Sequence, residues 1–251
     1  MNPLLEVLAS TAAQAPWMAP YCVAAGELAQ TPWHGTLADT LNAAWPDGIG
    51  LHAGPLRFVP QDVLSEGEAY EAFIHRQAAV PTRDNLHDLF NALVWRRFPR
   101  LKRHLNALQA SQIAQAGVGR TRGPVRDALT VFDENAAVLQ APDELVHALR
   151  VRDWKALFIG HRALWSEAQF TLFGHALLEK LVTPRKPITA HVWLVPMDVD
   201  LEDHLIERLT PDFLAAKTQL PLPVLGVPGW WTGNAEPDFY DDVSVFRPLK
   251  G

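Results

Sequence analysis

Twenty prolines are spread over the whole length of this 251-residue chain. Each removes a backbone donor, fixes its own φ and disfavours helix in the residue before it. The segments between them are therefore short, and no repeat, heptad array or low-complexity tract runs through them. Because the prolines are distributed rather than gathered into one linker, the chain reads as one globular domain over residues 1–251. Its 48% hydrophobic content is ample for a continuous core.

Hydrophobic periodicity and end signals place the elements. Residues 1–60 read as a helical packing region, with helices near Pro3 to Ala13 and Thr36 to Ala44 and an extended piece at Leu56 to Val59. Ser65 with Glu68 has the form of a capping box opening a helix that turns Tyr70, Phe73 and Ile74 inward and stops before Pro81. Asp84 or Asn85 caps the next helix, whose stripe of Leu86, Leu89, Phe90, Leu93 and Val94 runs to Phe98. Another helix follows from Pro99 to about Gln115.

Residues 128–139 read as a hairpin turning at Asp133-Glu134-Asn135, because β-branched and apolar residues flank a cluster of turn formers. Helices are expected from Asp143, from Asp153 and from Ser166, the last capped with Gln169 and running to Val182. The stretch 188–195 is apolar at nearly every position between two prolines, the pattern of a buried strand. Short acidic helices are expected at Leu201 to Leu209 and Pro211 to Lys217. Residues 220–251 read as an irregular tail wrapped over the domain and pinned by its aromatics. The fold class is α+β, a mainly helical domain with a small sheet.

No stretch reaches the roughly 20 apolar residues that a membrane-spanning helix needs, so no membrane is expected. The N-terminus lacks the features of a secretory signal. The lone cysteine, Cys22, cannot form an internal disulfide and reads as a small buried hydrophobe. Together these predict a cytoplasmic protein. The net charge of -6 opposes a general attraction to polyanions, which makes nucleic acid an unfavoured partner.

Polar clusters carry the functional expectations. Arg83, Asp84, Asn85, His87, Asp88 and Asn91 crowd the start of one helix. His87 and Asn91 are four apart and share a face, as do Asp84 and Asp88. The residues His87, Asp88 and Asn91 can thus be drawn as ligands of a divalent metal, the one cofactor the sequence suggests. Arg83, Asn85 and Asn91 beside a helix N-terminus would suit a small anionic molecule. The bland alternative is that the carboxylates and amides cap the helix. His175 and Glu179, also four apart, would form an imidazole–carboxylate pair, either catalytic or a plain ion pair.

Between Arg83 and His104 there are six basic residues against two acidic ones. This is either a footprint for an acidic macromolecule, centred on Arg96 to Arg103, or a face salt-bridged to the acidic stretch Asp198 to Asp212. Trp231, in the Trp-rich tail, is a candidate stacking platform for substrate. Asp127, Asp133 and Glu134 bracket the expected hairpin and read first as turn residues, second as metal ligands. A His-Asn-His nuclease would need His75 on a strand, which the capping box contradicts. No nucleophile elbow, phosphate-binding glycine loop or dinucleotide fingerprint is present.

The stretches PTRDNLHDLFNALVWRRFPRLKRHLNALQ, RDALTVFDENAAVL and GHALLEKLVTPRKPITAHV, with PGWWTGN, YDD and FRP after them, resemble a bacterial family known only as domain of unknown function 3025. The resemblance implies one continuous domain and carries over neither an activity nor functional residues. The residues themselves suggest a hydrolase or lyase, with His87, Asp88, His175 and Glu179 as catalytic groups. The contrasting expectation is a non-catalytic binding protein using the Arg96 to Arg103 face and the tail.

Overall fold

A computed structural model describes residues 2–50, 54–116 and 123–249. Helix α1 (Pro3–Gln14) begins with proline at its first position and with the Asn2 side chain accepting the Leu4 N–H at 2.9 Å. A 3-10 turn over Pro16–Tyr21 leads into α2 (Cys22–Ala29), and Thr36 caps α3 (Leu37–Ala44). Cys22 is exposed at the start of α2, contrary to the buried position expected of it. Strand β1 (Arg57–Pro60), helix α4 (Tyr70–Gln77) and strand β2 (Ala79–Thr82) follow, and the two strands pair in parallel.

Next come α5 (Leu86–Arg97), α6 (Pro99–Ala116), α7 (Pro124–Asn135), β3 (Ala136–Gln140), α8 (Asp143–Val151), β4 (Gln169–Leu172), α9 (His175–Lys180), β5 (Thr189–Leu194), α10 (Leu201–Arg208), α11 (Pro211–Ala215) and β6 (Leu220–Pro223). The main sheet has the order β4-β3-β5-β6, with β3 parallel to β5 and the two outer pairs antiparallel. All five residues of β3 are buried, which explains why four of them are apolar in succession instead of alternating with polar ones, the fifth being Gln140. One cluster of buried apolar side chains runs from Leu5 to Phe246. The architecture is α+β, as expected, and no helix among the described residues is long and apolar enough to cross a membrane.

Four local expectations need correction. Residues 128–135 are helix, not the first arm of a hairpin. Pro124 occupies the first helical position of α7, and Ala128, Leu129 and Phe132 fall on its one buried face at helical spacing. The presumed turn Asp133-Glu134-Asn135 is the last turn of that helix, which runs straight into β3. The segment from Ser166 does not become a helix until His175, because Gln169–Leu172 pairs with β3. Pairing along the sheet overrides the local pattern. Ser65 and Glu68 form a turn, with the Glu68 side chain paired to Arg76, and α4 starts only at Tyr70. Finally, the tail opens as strand β6 before breaking into 3-10 turns, and its last two residues, 250–251, lie outside the described ones.

The amino end of β3 is where polar residues collect. Helix α7 delivers Asp133, Glu134 and Asn135 to that end. Strand β4 is antiparallel to β3 and finishes there, the N–H groups of Phe173 and Gly174 both donating to the Ala136 carbonyl at 2.9 and 2.8 Å. Gly174 lies so close to the last turn of α7 that only a residue without Cβ fits. His175 follows as the first residue of α9, which packs against α5.

Candidate metal centre

His87 sits in the first turn of α5, where the Asn85 side chain caps the helix by accepting the Asp88 N–H at 2.8 Å. Its ring points toward α9. Nδ1 of His87 donates to Glu179 Oε2 at 2.9 Å, and its Nε2 lies 3.1 Å from Nε2 of His175. Nδ1 of His175 donates to the main-chain carbonyl of Asp133 at 2.8 Å. The rings meet edge to face, with centroids 4.5 Å apart.

These contacts fix the tautomers. A carboxylate and a carbonyl can only accept, so both Nδ1 atoms carry hydrogen. In the neutral imidazoles both Nε2 atoms are then lone-pair acceptors, and they face each other at hydrogen-bond distance with no hydrogen between them. Two acceptors so placed are bridged either by a proton on one ring or by a metal ion. Glu134 supplies a third donor atom, its Oε2 lying 3.7 Å from His175 Nε2, and donor atoms of His87, Glu134 and His175 all lie within 4.8 Å of one another. For a tetrahedral zinc site with ordinary Zn–N lengths the nitrogen-to-nitrogen edge is about 3.3 Å, close to what is found here. Each imidazole is oriented through its other nitrogen by a carboxylate or carbonyl, as metal-bound histidines are.

The electrostatics agree with a ligand set. Burial, only partly opposed by Asp133, lowers the His175 imidazole to about 4, so its Nε2 stays unprotonated at neutral pH. Burial, followed by the nearby Asp133 charge, raises the Glu134 carboxyl above the ordinary range. On Asp133 itself burial acts upward most strongly, yet Lys102 and His175 together hold the group below its usual value.

The sequence singled out His87, His175 and Glu179, and the fold brings these three together. Their pairing differs from expectation: Glu179 bonds to His87 across two helices, not to His175 on its own helix. Asp88 and Asn91 do not join His87 as ligands, which corrects the proposed metal set. The Asp88 carboxylate is taken by Arg83, through its backbone N–H at 2.6 Å and its guanidinium at 3.0 and 2.9 Å. The amide of Asn91 bonds to Lys102 and Tyr70. Asp84 reaches away to the Leu37 N–H at the start of α3, and Asn85 is consumed as a cap.

Trp231 lies on the tail beside Gly233, while its neighbour Trp230 packs on Trp17 and Phe170 as an anchor. His75 is helical, against the nuclease arrangement. Glu134, which the sequence offered as a metal ligand only second to a turn residue and not together with the histidines, is the carboxylate that lies beside them. The basic face is largely engaged within the molecule: Arg96 pairs with Glu27, Arg100 with Asp200 and Asp203, and Lys102 is buried against Asp133.

The family described as "Protein of unknown function (DUF3025)" matches residues 56–250, a span that includes every residue of the centre. No curated protein and no solved structure matches the chain.

Proposed function

The chain belongs to that family of unknown function, and we propose that it is a metal-dependent hydrolase acting on a substrate with an anionic group. His87 Nε2, His175 Nε2 and the Glu134 carboxylate hold a divalent cation, and a water takes a remaining position. Two imidazoles and one carboxylate with an open site form a ligand set used by zinc hydrolases. The observation that carries this reading is the pair of facing Nε2 atoms 3.1 Å apart, with both Nδ1 atoms turned to oxygen acceptors.

A divalent cation held there would supply an ionised water near neutral pH. Hydrolysis would then join that oxygen to the electrophilic carbon or phosphorus and break the bond to the leaving group, which would take up a proton from solvent. Glu179 and the Asp133 carbonyl keep both rings turned toward the ion. An anionic substrate is favoured by the cation of Lys180, which follows Glu179 in the sequence. The Lys180 ammonium is held by the neutral amide oxygen of Asn135 at 2.9 Å. A charge-driven scaffold role is less well supported, since Arg96, Arg100 and Lys102 already have acidic partners.

Calorimetric titration of the chelator-treated protein with Zn2+, Mn2+ and Co2+ tests the site, followed by assay of the loaded protein on p-nitrophenyl esters of phosphate and acetate. One ion per chain is expected, abolished by His87→Ala, Glu134→Ala or His175→Ala in variants that still unfold cooperatively. Absence of binding in the parent protein, or binding untouched by these changes, would refute the assignment.

A further inference from the structure

Lys102, on α6, is 4% exposed. An ammonium taken out of water is costly unless its hydrogens are satisfied, and replacing a buried ion pair by apolar side chains is often neutral or stabilising. Here the charge is kept and placed with care. Lys102 Nζ donates to Asn91 Oδ1 at 2.8 Å and to Asp133 Oδ1 at 2.5 Å, beside the face of Trp95. Its remaining side borders a cavity of about 10 Å³, room for a single water, which Tyr70, Glu71 and Asn106 also line.

The two acceptors are not arbitrary. Asn91 stands one helical turn beyond His87 on the same face of α5. Asp133 directly precedes Glu134 on α7, and its main-chain carbonyl takes the His175 Nδ1 hydrogen. One buried ammonium therefore grips residues next to all three donors, on α5, on α7 and, through the Asp133 carbonyl, on α9.

We propose that Lys102 is a positioning residue that acts through Asn91 and Asp133 to fix the orientation and ring hydrogen of His175 and its facing of His87. The inference deepens the metal-centre reading and rests on it for its consequence, but the ring geometry it concerns exists without an ion. A purely structural Lys102 would cost stability when lost and leave the imidazoles as they are. A positioning Lys102 changes the imidazoles even in a protein that folds.

The test uses the full chain with Lys102→Met and Asp133→Asn combined, which removes both charges and leaves no member of that pair unpaired. Cooperative urea unfolding establishes that the variant is folded. Ring-nitrogen NMR of the metal-free proteins then reads the tautomers, and Co2+ titration followed by visible absorption reads the centre. Expected are a His175 hydrogen fixed on Nδ1 in the parent, a mixture of tautomers in the variant, and a loss of about 10-fold or more in Co2+ affinity with altered bands.

A folded variant whose His175 tautomer and Co2+ spectrum match the parent would overturn the proposal. Should the double variant not fold, Asn91→Ala removes the other Lys102 acceptor and is read by the same two measurements. Parent protein that takes up no Co2+ while the variant still loses the fixed tautomer would refute the metal reading and leave the positioning role standing.

Discussion

A methyl group on the Cα of Gly174 would come within 2.5 Å of the Glu134 carbonyl oxygen. That closeness lets the chain leaving β4 pass against the last turn of α7 and deliver His175 to Glu134. Gly174→Ala must push the two segments apart, and both are backbone, so neither side can yield cheaply. The expected result is a loss of about 1–3 kcal/mol in urea unfolding together with weaker metal binding. An alanine variant of unchanged stability and affinity would show that the contact is not tight.

Glu179 orients His87 from outside the ligand set, and its side chain is 39% exposed. Glu179→Gln keeps an acceptor oxygen for the Nδ1 hydrogen but removes the charge that makes the imidazole a better donor to the ion. Zinc affinity should fall by about 10-fold, at the low end of what such outer contacts contribute, with the melting curve of the metal-free protein hardly moved. Calorimetry checks the first outcome and thermal unfolding the second; an unchanged affinity would count against the role given to Glu179.

Glu202 tests the fold away from the centre. Its Oε2 accepts the Leu101 N–H at 2.7 Å, capping α6 from α10. Burial raises its carboxyl above the ordinary 4.5, outweighing that hydrogen bond. The folded state therefore binds this proton more tightly than the unfolded chain. The associated stability is complete below the unfolded value and is lost as pH rises through the folded one. Glu202→Gln, fixed in the neutral form, should gain on the parent protein at pH 7 and lose that advantage as pH falls toward 4.5. Urea midpoints of both proteins across this window decide the matter, and an advantage that grew on acidification would reverse the sign argued here.

Much of the frame was legible. Helix α5 announced itself by its apolar stripe and its Asn85 cap, and β5 by a stretch apolar at nearly every position between prolines. His87 and His175 were visible as candidates, each with a polar partner at helical spacing, yet those partners were the wrong ones. Spacing along one helix says which residues share a face, while the fold here satisfies Asp88 with Arg83 and sends Glu179 to His87.

Glu134 read first as a turn residue because a run of turn-forming residues looks the same at a hairpin tip and at a helix end. Once α7 is recognised, the signal is plain. Two carboxylates in the last turn of a helix oppose its dipole, and such a local violation points to a use elsewhere. Lys102 was concealed by its neighbours in a charge run, a pattern that usually marks a solvated face. Its burial depends on α5 and α7 closing over α6, which no local pattern records.

The three imidazole and carboxylate donors come from separate helices, and the shortest gap between any two of them in the chain is more than forty positions. A nascent or denatured polypeptide has no reason to hold those groups near one another. Loading of an ion would thus follow completion of the helix–sheet framework, and a protein stripped of its ion should keep its shape and be refilled without refolding.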